Sequence, residues 1–223
     1  FFVGNPQVSA LYNYTEYQDA LKTDFPNCKH GLVVALKDAN NGNTSRFSES
    51  GKNVWIDNWK KETEDLDRYL NLSHNNSAGK DKLELLLEIK GYNHTKIFLA
   101  SQNDDAVKTR SNLMCNILNK YKETVPTPSL STGWFCPSFG EFNQIIKNYN
   151  MVKASIESAK GSLEQYPITG NMNTENNTYW ASNFRSDAAQ WISGLNAEEE
   201  DGKKLGFATN NKTSQHFRFC LAF

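Results

Sequence analysis

The sequence lacks a surplus of either charge. Its 24 Lys plus Arg stand against 25 Asp plus Glu, a formal net charge of −1 with a pI near 6.5. A general nucleic-acid binder carries a basic stripe, so this balance argues against one. There is no apolar run of the roughly 18 residues a membrane-spanning helix needs. Cysteine is scarce: Cys28, Cys115, Cys136 and Cys220 form no CxxC pair, which removes zinc-ribbon and thioredoxin-like sites. The four histidines, His30, His74, His94 and His216, are far apart and form no HExxH. No Walker loop or glycine-rich dinucleotide loop is present. Ser138 is not set in G-x-S-x-G. An enzyme is therefore not expected, and no metal site is assigned.

What is present is aromatic. Five Trp, nine Tyr and thirteen Phe make up 12% of 223 residues, although the mean hydropathy is −0.65. Disordered chains lack such residues, and a domain of this size buries about 70% of its unfolded surface without staples. Asparagine is abundant, and seven Asn-x-Ser/Thr triplets, at Asn13, Asn43, Asn71, Asn75, Asn93, Asn176 and Asn211, suggest a polar exposed surface. The chain opens at Phe1 without Met or a charged-then-apolar leader, which reads as a processed or trimmed chain that a signal peptide could have preceded.

Residues 30–37 read as a buried strand ended by the turn-rich 38–43 segment. Residues 53–59 alternate weakly. The segments 66–72 and 83–89 are short and apolar, the second read as a helix stopped by Gly91. Ala106, Val107, Leu113, Met114, Ile117, Leu118 and Tyr121 recur at spacings of three and four, which predicts a helix over 104–121. Asn103 or Asp104 would cap it, and Pro126 and Pro128 would end it. Ser138-Phe139-Gly140-Glu141 is a capping box that starts a second helix, with Phe142, Ile145, Ile146 and Tyr149 on its apolar face. A short helix over 151–160 would stop at Gly161. From Asn176 the texture becomes β. Residues 179–182, 190–193 and 216–223 are strand candidates, joined by polar connections at 183–188 and 196–204. Helices first and strands last predict one α+β domain.

Several segments, in order, resemble a known pattern. Residues 30–38 (HGLVVALKD) look like an "H-G-l-V-V-s-L-k-D" strand. Residues 133–142 (GWFCPSFGEF) look like "G-W-y-L-P-S-x-G-E-L", and 152–161 look like the helix that follows it. Tyr179-Trp180-Ala181-Ser182 with Ala189-Gln190-Trp191 is similar to "Y-W-S-S … A-W". Residues 217–223 (FRFCLAF) are similar to a terminal "V-R-P-V-L-A-F". Together they resemble C-type-lectin-like domains of secreted or surface proteins of gut Bacteroidetes, and the variable proteins of diversity-generating retroelements, often phage-borne. The resemblance implies a C-type-lectin-like single domain over 1–223, with two main helices and a C-terminal antiparallel β meander. Residues 1–29 would be an N-terminal strand or extension, and 176–223 the ligand-binding β region. Cys136 and Cys220 depart from the pattern. Analogy with the family's long disulfide suggests Cys115–Cys220, the shared departure suggests Cys136–Cys220, and free thiols remain the third option.

The resemblance also places the ligand-facing residues in the C-terminal stretch. Asn183, Phe184, Arg185, Ser186 and Asp187 would form a loop. Gln190, Ser193 and Leu195 would share one face of the next strand, and Asn210, Asn211, Ser214 and His216 would lead into the last one. Aromatic anchors among adaptable polar groups suit recognition. Trp134, Trp180 and Trp191 match the frame instead. Calcium is a lesser candidate, because the family's calcium loops are missing and the acidic run Glu198–Asp201 reads as a solvated turn. No cofactor is expected. The expected function is non-enzymatic binding of a protein or glycan outside the cell, by an adhesin or receptor-binding domain on a cell or virion surface. The alternatives are an enzyme on a formylglycine-generating-like fold and a pilus-tip assembly module.

Overall fold

In a computed structural model, the structure describes residues 20–29, 31–48, 89–102, 113–166, 177–186, 189–195, 207–210 and 213–223. These hold helices α1 (Ala20–Asp24), α2 (Gly91–Ser101), α3 (Leu113–Thr124), α4 (Phe139–Lys147) and α5 (Tyr149–Ser158). They also hold strands β1 (Leu32–Val34), β2 (Tyr179–Ser186), β3 (Ala189–Ser193), β4 (Phe207–Asn210) and β5 (Cys220–Ala222). The architecture is a mixture of helices and two small antiparallel sheets, β1-β5 and β2-β3-β4. The last strand does not complete a meander. It leaves β2-β3-β4 and returns to the start of the described chain, with Leu32 opposite Ala222 and Val34 opposite Cys220.

Alternation explains where the core sits. Leu32, Val34, Phe135, Cys220 and Ala222 belong to one apolar cluster with Leu21 of α1, Phe142, Ile145 and Ile146 of α4, and Val152 and Ile156 of α5. Ala35, Trp134, Cys136, Phe219 and Leu221 belong to the other, with Met114 and Leu118 of α3, Phe47, Phe98 and Trp180. The terminal strand is thus a middle layer, covered on both faces, and such strands read as near-continuous apolar runs. It is also bonded along both edges. Phe135 and Cys220 exchange N–H···O bonds of 2.8 and 2.9 Å, while the amides of Ala39 and Ala35 donate to the carbonyls of Phe217 and Phe219 at 2.8 and 2.9 Å.

The helices start where local chemistry says they should, with corrections. The capping box of Ser138 and Glu141 opens α4. The helix expected over 104–121 is described from Leu113 and runs on to Thr124, one residue before the chain turns toward Pro126. Its proposed caps, Asn103 and Asp104, lie outside the described residues, as do the segments 53–59, 66–72, 83–88 and the acidic run 197–202. The last helix occupies Tyr149–Ser158, and Lys160, not Gly161, takes the left-handed φ of 60°. Of the described part of the N-terminal extension, Ala20–Asp24 is helical.

Gly91 is the larger correction. It is the first residue of α2, and the segment 83–88 that it was expected to stop lies outside the described residues. Its amide donates to both carboxylate oxygens of Glu141 at 3.0 and 3.1 Å, so one buried carboxylate holds the N-termini of α2 and α4, where the helix dipole favours negative charge. A Cβ at this position would lie 2.5 Å from Glu141 Oε2 and 2.6 Å from the Cys136 carbonyl. Gly91→Ala should therefore cost about 1–3 kcal/mol by overpacking. Urea unfolding checks this, and a change under about 0.5 kcal/mol, the level of neutral surface changes, would contradict the packing.

Candidate functional site

The predicted ligand strip divides into two groups. Residues 183–186 are not loop. They extend β2, whose ladder to β3 runs from Tyr179 opposite Ser193 to Ser186 opposite Ala189, with register shifts on either side of Phe184. The hairpin with β3 satisfies the backbone of this polar arm. Phe184 pairs with Gln190, which pairs in turn with Thr209 of β4, and Asn210 pairs with Ala189. The backbone therefore brings Phe184, Arg185, Ser186, Gln190 and Asn210 together at one end of a three-stranded ribbon. Asp187 and Asn211 lie outside the described residues.

The other members turn inward. Asn183, Ser193 and Leu195 are fully buried, and His216 is 7% exposed. Asn183 Oδ1 accepts from the Phe139 amide at 2.6 Å at the start of α4. Ser193 Oγ accepts from the Leu195 amide at 3.2 Å, and Leu195, at φ 57°, joins the first core cluster. Ser214 is half-buried, and its carbonyl accepts from the Asn177 amide at 3.3 Å. These four buried side chains build the frame, not an accessible binding surface. Polar type signalled exposure for Asn183, Ser193 and His216, but Asn183 Oδ1, Ser193 Oγ and His216 Nε2 find partners inside the fold. Trp134 and Trp180 are buried, as expected of frame residues, and their indole N–H groups donate to the carbonyls of Val125 and Ser45, both at 2.8 Å.

Behind the ribbon lies a polar joint that no sequence motif announced. Asn93, His94 and Thr95 are consecutive on α2 and all are buried. Asn93 Oδ1 accepts from the Ala20 amide at 3.0 Å and so caps α1. The Thr95 hydroxyl accepts from the Cys136 amide at 2.9 Å. His94 Nδ1 lies 2.9 Å from Ser182 Oγ of β2, and its Nε2 makes no hydrogen bond among the described residues. Burial, with the Lys90 charge as a second cause, pushes His94 down to about 3. The Ser–His pair resembles a nucleophile and its base, but both side chains are sealed from solvent and no substrate can reach them. Asn93 also begins one of the seven triplets, and its burial removes it as an exposed acceptor.

A second polar cluster closes the other end of the terminal segment. Arg218 is 1% exposed. Its Nη1 donates to the Ala35 carbonyl at 2.9 Å, and its Nη2 lies 2.7 Å from both the Ser162 carbonyl and Asp38 Oδ1. Burial raises Asp38 above its ordinary value, and the Arg218 guanidinium opposes that shift. His216 stacks on Tyr166 at 4.9 Å with 8° between the rings.

The four cysteines are buried thiols. Cys136 and Cys220 lie in different core clusters, on opposite faces of the terminal layer, and Cys115 lies with Cys136. Neither pairing suggested by analogy is present. Burial raises all four thiols above their ordinary value, so none is an activated nucleophile. Among the described residues no group of three or more His, Cys, Asp or Glu converges to hold a metal ion, and no helix is long and apolar enough to cross a membrane.

Two outcomes follow from the buried charges. Arg218→Met should cost about 3–5 kcal/mol because it strands Asp38, whereas Asp38→Leu with Arg218→Met should recover much of that loss. Equal costs for the single and double variants in denaturant unfolding would contradict the pairing. His94 binds its proton at about 6.5 in the unfolded chain and about 3 in the fold. Its contribution is therefore complete above pH 6.5 and is lost as pH falls toward 3, by roughly 1.4 kcal/mol per unit. His94→Gln should flatten that slope, and an unchanged slope would contradict the burial argument.

No protein-family model matches the chain. The whole chain aligns, at 27% identity over 235 residues, with a protein of Bacteroides ovatus described as a candidate fimbrium tip subunit, Fim1C, and spans 40% of it. It superposes over its full length on the crystal structure of a fimbrial protein from Bacteroides ovatus ATCC 8483, with a TM-score of 0.73 at 23% identity, and covers 43% of that chain. This second likeness is one of fold. From end to end the chain is similar to fimbrial proteins of Bacteroides ovatus, and it spans less than half of either.

Proposed function

We propose that this chain is a domain of a fimbrial tip subunit, a non-enzymatic module held outside the cell. The observation that carries the reading is the match of the whole chain, not a fragment of it, to the tip subunit of Bacteroides ovatus. The shared fold with a second fimbrial protein supports it. In this reading the terminal strand, buried on both faces, is the rigid frame, and the β2-β3-β4 ribbon is the displayed part. Phe184, Arg185, Ser186, Asp187, Gln190, Asn210 and Asn211 are the recognition residues, taking a protein or glycan ligand without metal or cofactor. The partners within the fibre are other fimbrial subunits. The C-type-lectin-like frame belongs to the proposal on the order of its motifs alone. The virion-surface and retroelement readings gain no support from these likenesses and are set aside.

Immunogold labelling in the bacterium that encodes the chain tests the placement. Gold at fibre ends is the expected result, and gold along shafts or confined to cell interiors would contradict it. For the ribbon, Phe184→Ala with Arg185→Ala should weaken binding on a glycan or protein array by tenfold or more, about 1.4 kcal/mol, at an unchanged Tm. Retained binding would remove these residues from the recognition face.

A further inference from the structure

An asparagine followed by glycine can react with its own backbone. The glycine nitrogen, unshielded by a neighbouring Cβ, attacks the asparagine side-chain amide. Asn41 is the only asparagine of the sequence that glycine follows. Both residues are exposed, in the turn after β1, and a Cβ built at Gly42 would meet nothing within 4 Å. Solvent and open space therefore surround the reacting pair.

The closed turn nevertheless holds the pair apart. Asn41 has φ 55° and ψ 31°, and ψ alone sets where the next nitrogen lies. At this ψ the Gly42 nitrogen sits on the far side of the Cα–C bond from Asn41 Cβ, so the ring that the reaction needs cannot close. The Gly42 amide is also engaged, donating to the Ala39 carbonyl at 3.0 Å.

This conformation is fastened rather than intrinsically preferred. Asn40, Asn41 and Gly42 have φ of 56°, 55° and 79°, and successive left-handed residues are disfavoured for side chains other than glycine. Hydrogen bonds oppose that cost. The Asn43 amide and its Nδ2 both donate to the Asn40 carbonyl at 3.0 Å, and Asn40 Nδ2 reaches the Asn43 carbonyl at 3.4 Å. The flanks are pinned to the terminal segment. The Ala39 amide donates to the Phe217 carbonyl at 2.8 Å, and Ser45 and Gln215 exchange backbone bonds of 2.9 Å. Reaction at Asn41 thus requires a local opening of the kind that loops undergo below the global unfolding free energy.

We propose that Asn41 with Gly42 is a fold-gated deamidation site: the closed turn keeps the attacking nitrogen from the side chain, and each opening lets Asn41 convert to aspartate or isoaspartate. In the open turn the Gly42 nitrogen gives its proton to solvent and bonds to Asn41 Cγ. The Cγ–Nδ2 bond breaks, and Nδ2 leaves as ammonia. Water then opens the cyclic imide. Cleavage at Cγ gives aspartate with the main chain restored, and cleavage at the backbone carbonyl carbon gives isoaspartate with the main chain rerouted through Cγ. Water is the one co-reactant, and nothing is oxidised or reduced. The isoaspartyl turn is one backbone atom longer, so the bonds that closed it no longer match in register. The site is independent of the fimbrial reading.

Ageing the folded chain beside a synthetic peptide of residues 38–46, in one buffer at one mildly alkaline pH, tests this. Tryptic cleavage after Lys37 and Arg46 releases the same segment from the chain, and fragmentation mass spectrometry separates Asn41 from Asn40 and Asn43. The peptide should convert first at Asn41. The folded chain should convert there more slowly by about tenfold or more, an opening free energy of about 1.4 kcal/mol. Asn43→Ala removes an exposed side chain and one fastening bond. It should speed conversion in the folded chain about fivefold and leave the rate of the peptide carrying the same change unmoved. Equal rates in folded chain and peptide would overturn the gate, as would an unmoved rate in the folded variant. Conversion of the peptide at Asn40 or Asn43 ahead of Asn41 would overturn the site. The wild-type comparison decides even if the variant does not fold.

Discussion

A guanidinium buried in the last strand segment, that of Arg218, constrains the rest of this structure. Arg218 can lie in the interior only because Asp38 and the carbonyls of Ala35 and Ser162 converge on it. Those groups come from the turn after β1 and the chain after α5. Meeting the needs of one charge therefore fastens the last segment to the turn after β1 and to the chain after α5. The apolar residues around it supply the driving force. At about 1.5–3 kcal/mol for each fully buried large side chain, Phe217, Phe219 and Leu221 together contribute roughly 5–9 kcal/mol. That is comparable to the whole net stability of a typical domain, about 5–15 kcal/mol. The charge sets the register, and the aromatic residues hold it.

Around this layer the polar side chains act as fasteners rather than as surface. Glu141 joins α2 to α4, Thr95 joins α2 to Cys136, and Asn183 joins β2 to α4. His94 meets Ser182 across the same boundary. Each bond crosses between elements, so the frame is braced in directions that apolar packing, which is not directional, leaves free. A braced frame with a hairpin ribbon at one end is the arrangement on which the proposed presenting role rests.

Much of the frame was legible in the sequence. The capping box at Ser138 names its own partners, and the stripe through Met114, Ile117 and Leu118 has a helical period. The run from His216 to Phe223 announces a strand, although its burial on both faces was not read from it. What failed has identifiable physical causes. Asn93, His94 and Thr95 read as a polar triplet, and Asn183, Ser193 and His216 read as an accessible face, because composition marks polarity and not where the hydrogen bonds go. Gly91 read as a stop because a glycine beside an apolar run usually is one; its role depends on a carboxylate 50 residues away. Strand β4 sits beside a polar connection with no alternation to reveal it. The β2 extension carries Asn, Arg and Ser, which local propensity assigns to turns.

The account stands or falls on the terminal segment as the centre of the fold. Removing residues 217–223 tests this directly, with near-ultraviolet circular dichroism and urea unfolding as the readout. The account predicts that the truncated chain loses its fixed aromatic signal and its cooperative transition. A truncated chain that keeps both, with a midpoint close to that of the full chain, would show that the core is complete without its last strand and would contradict the account.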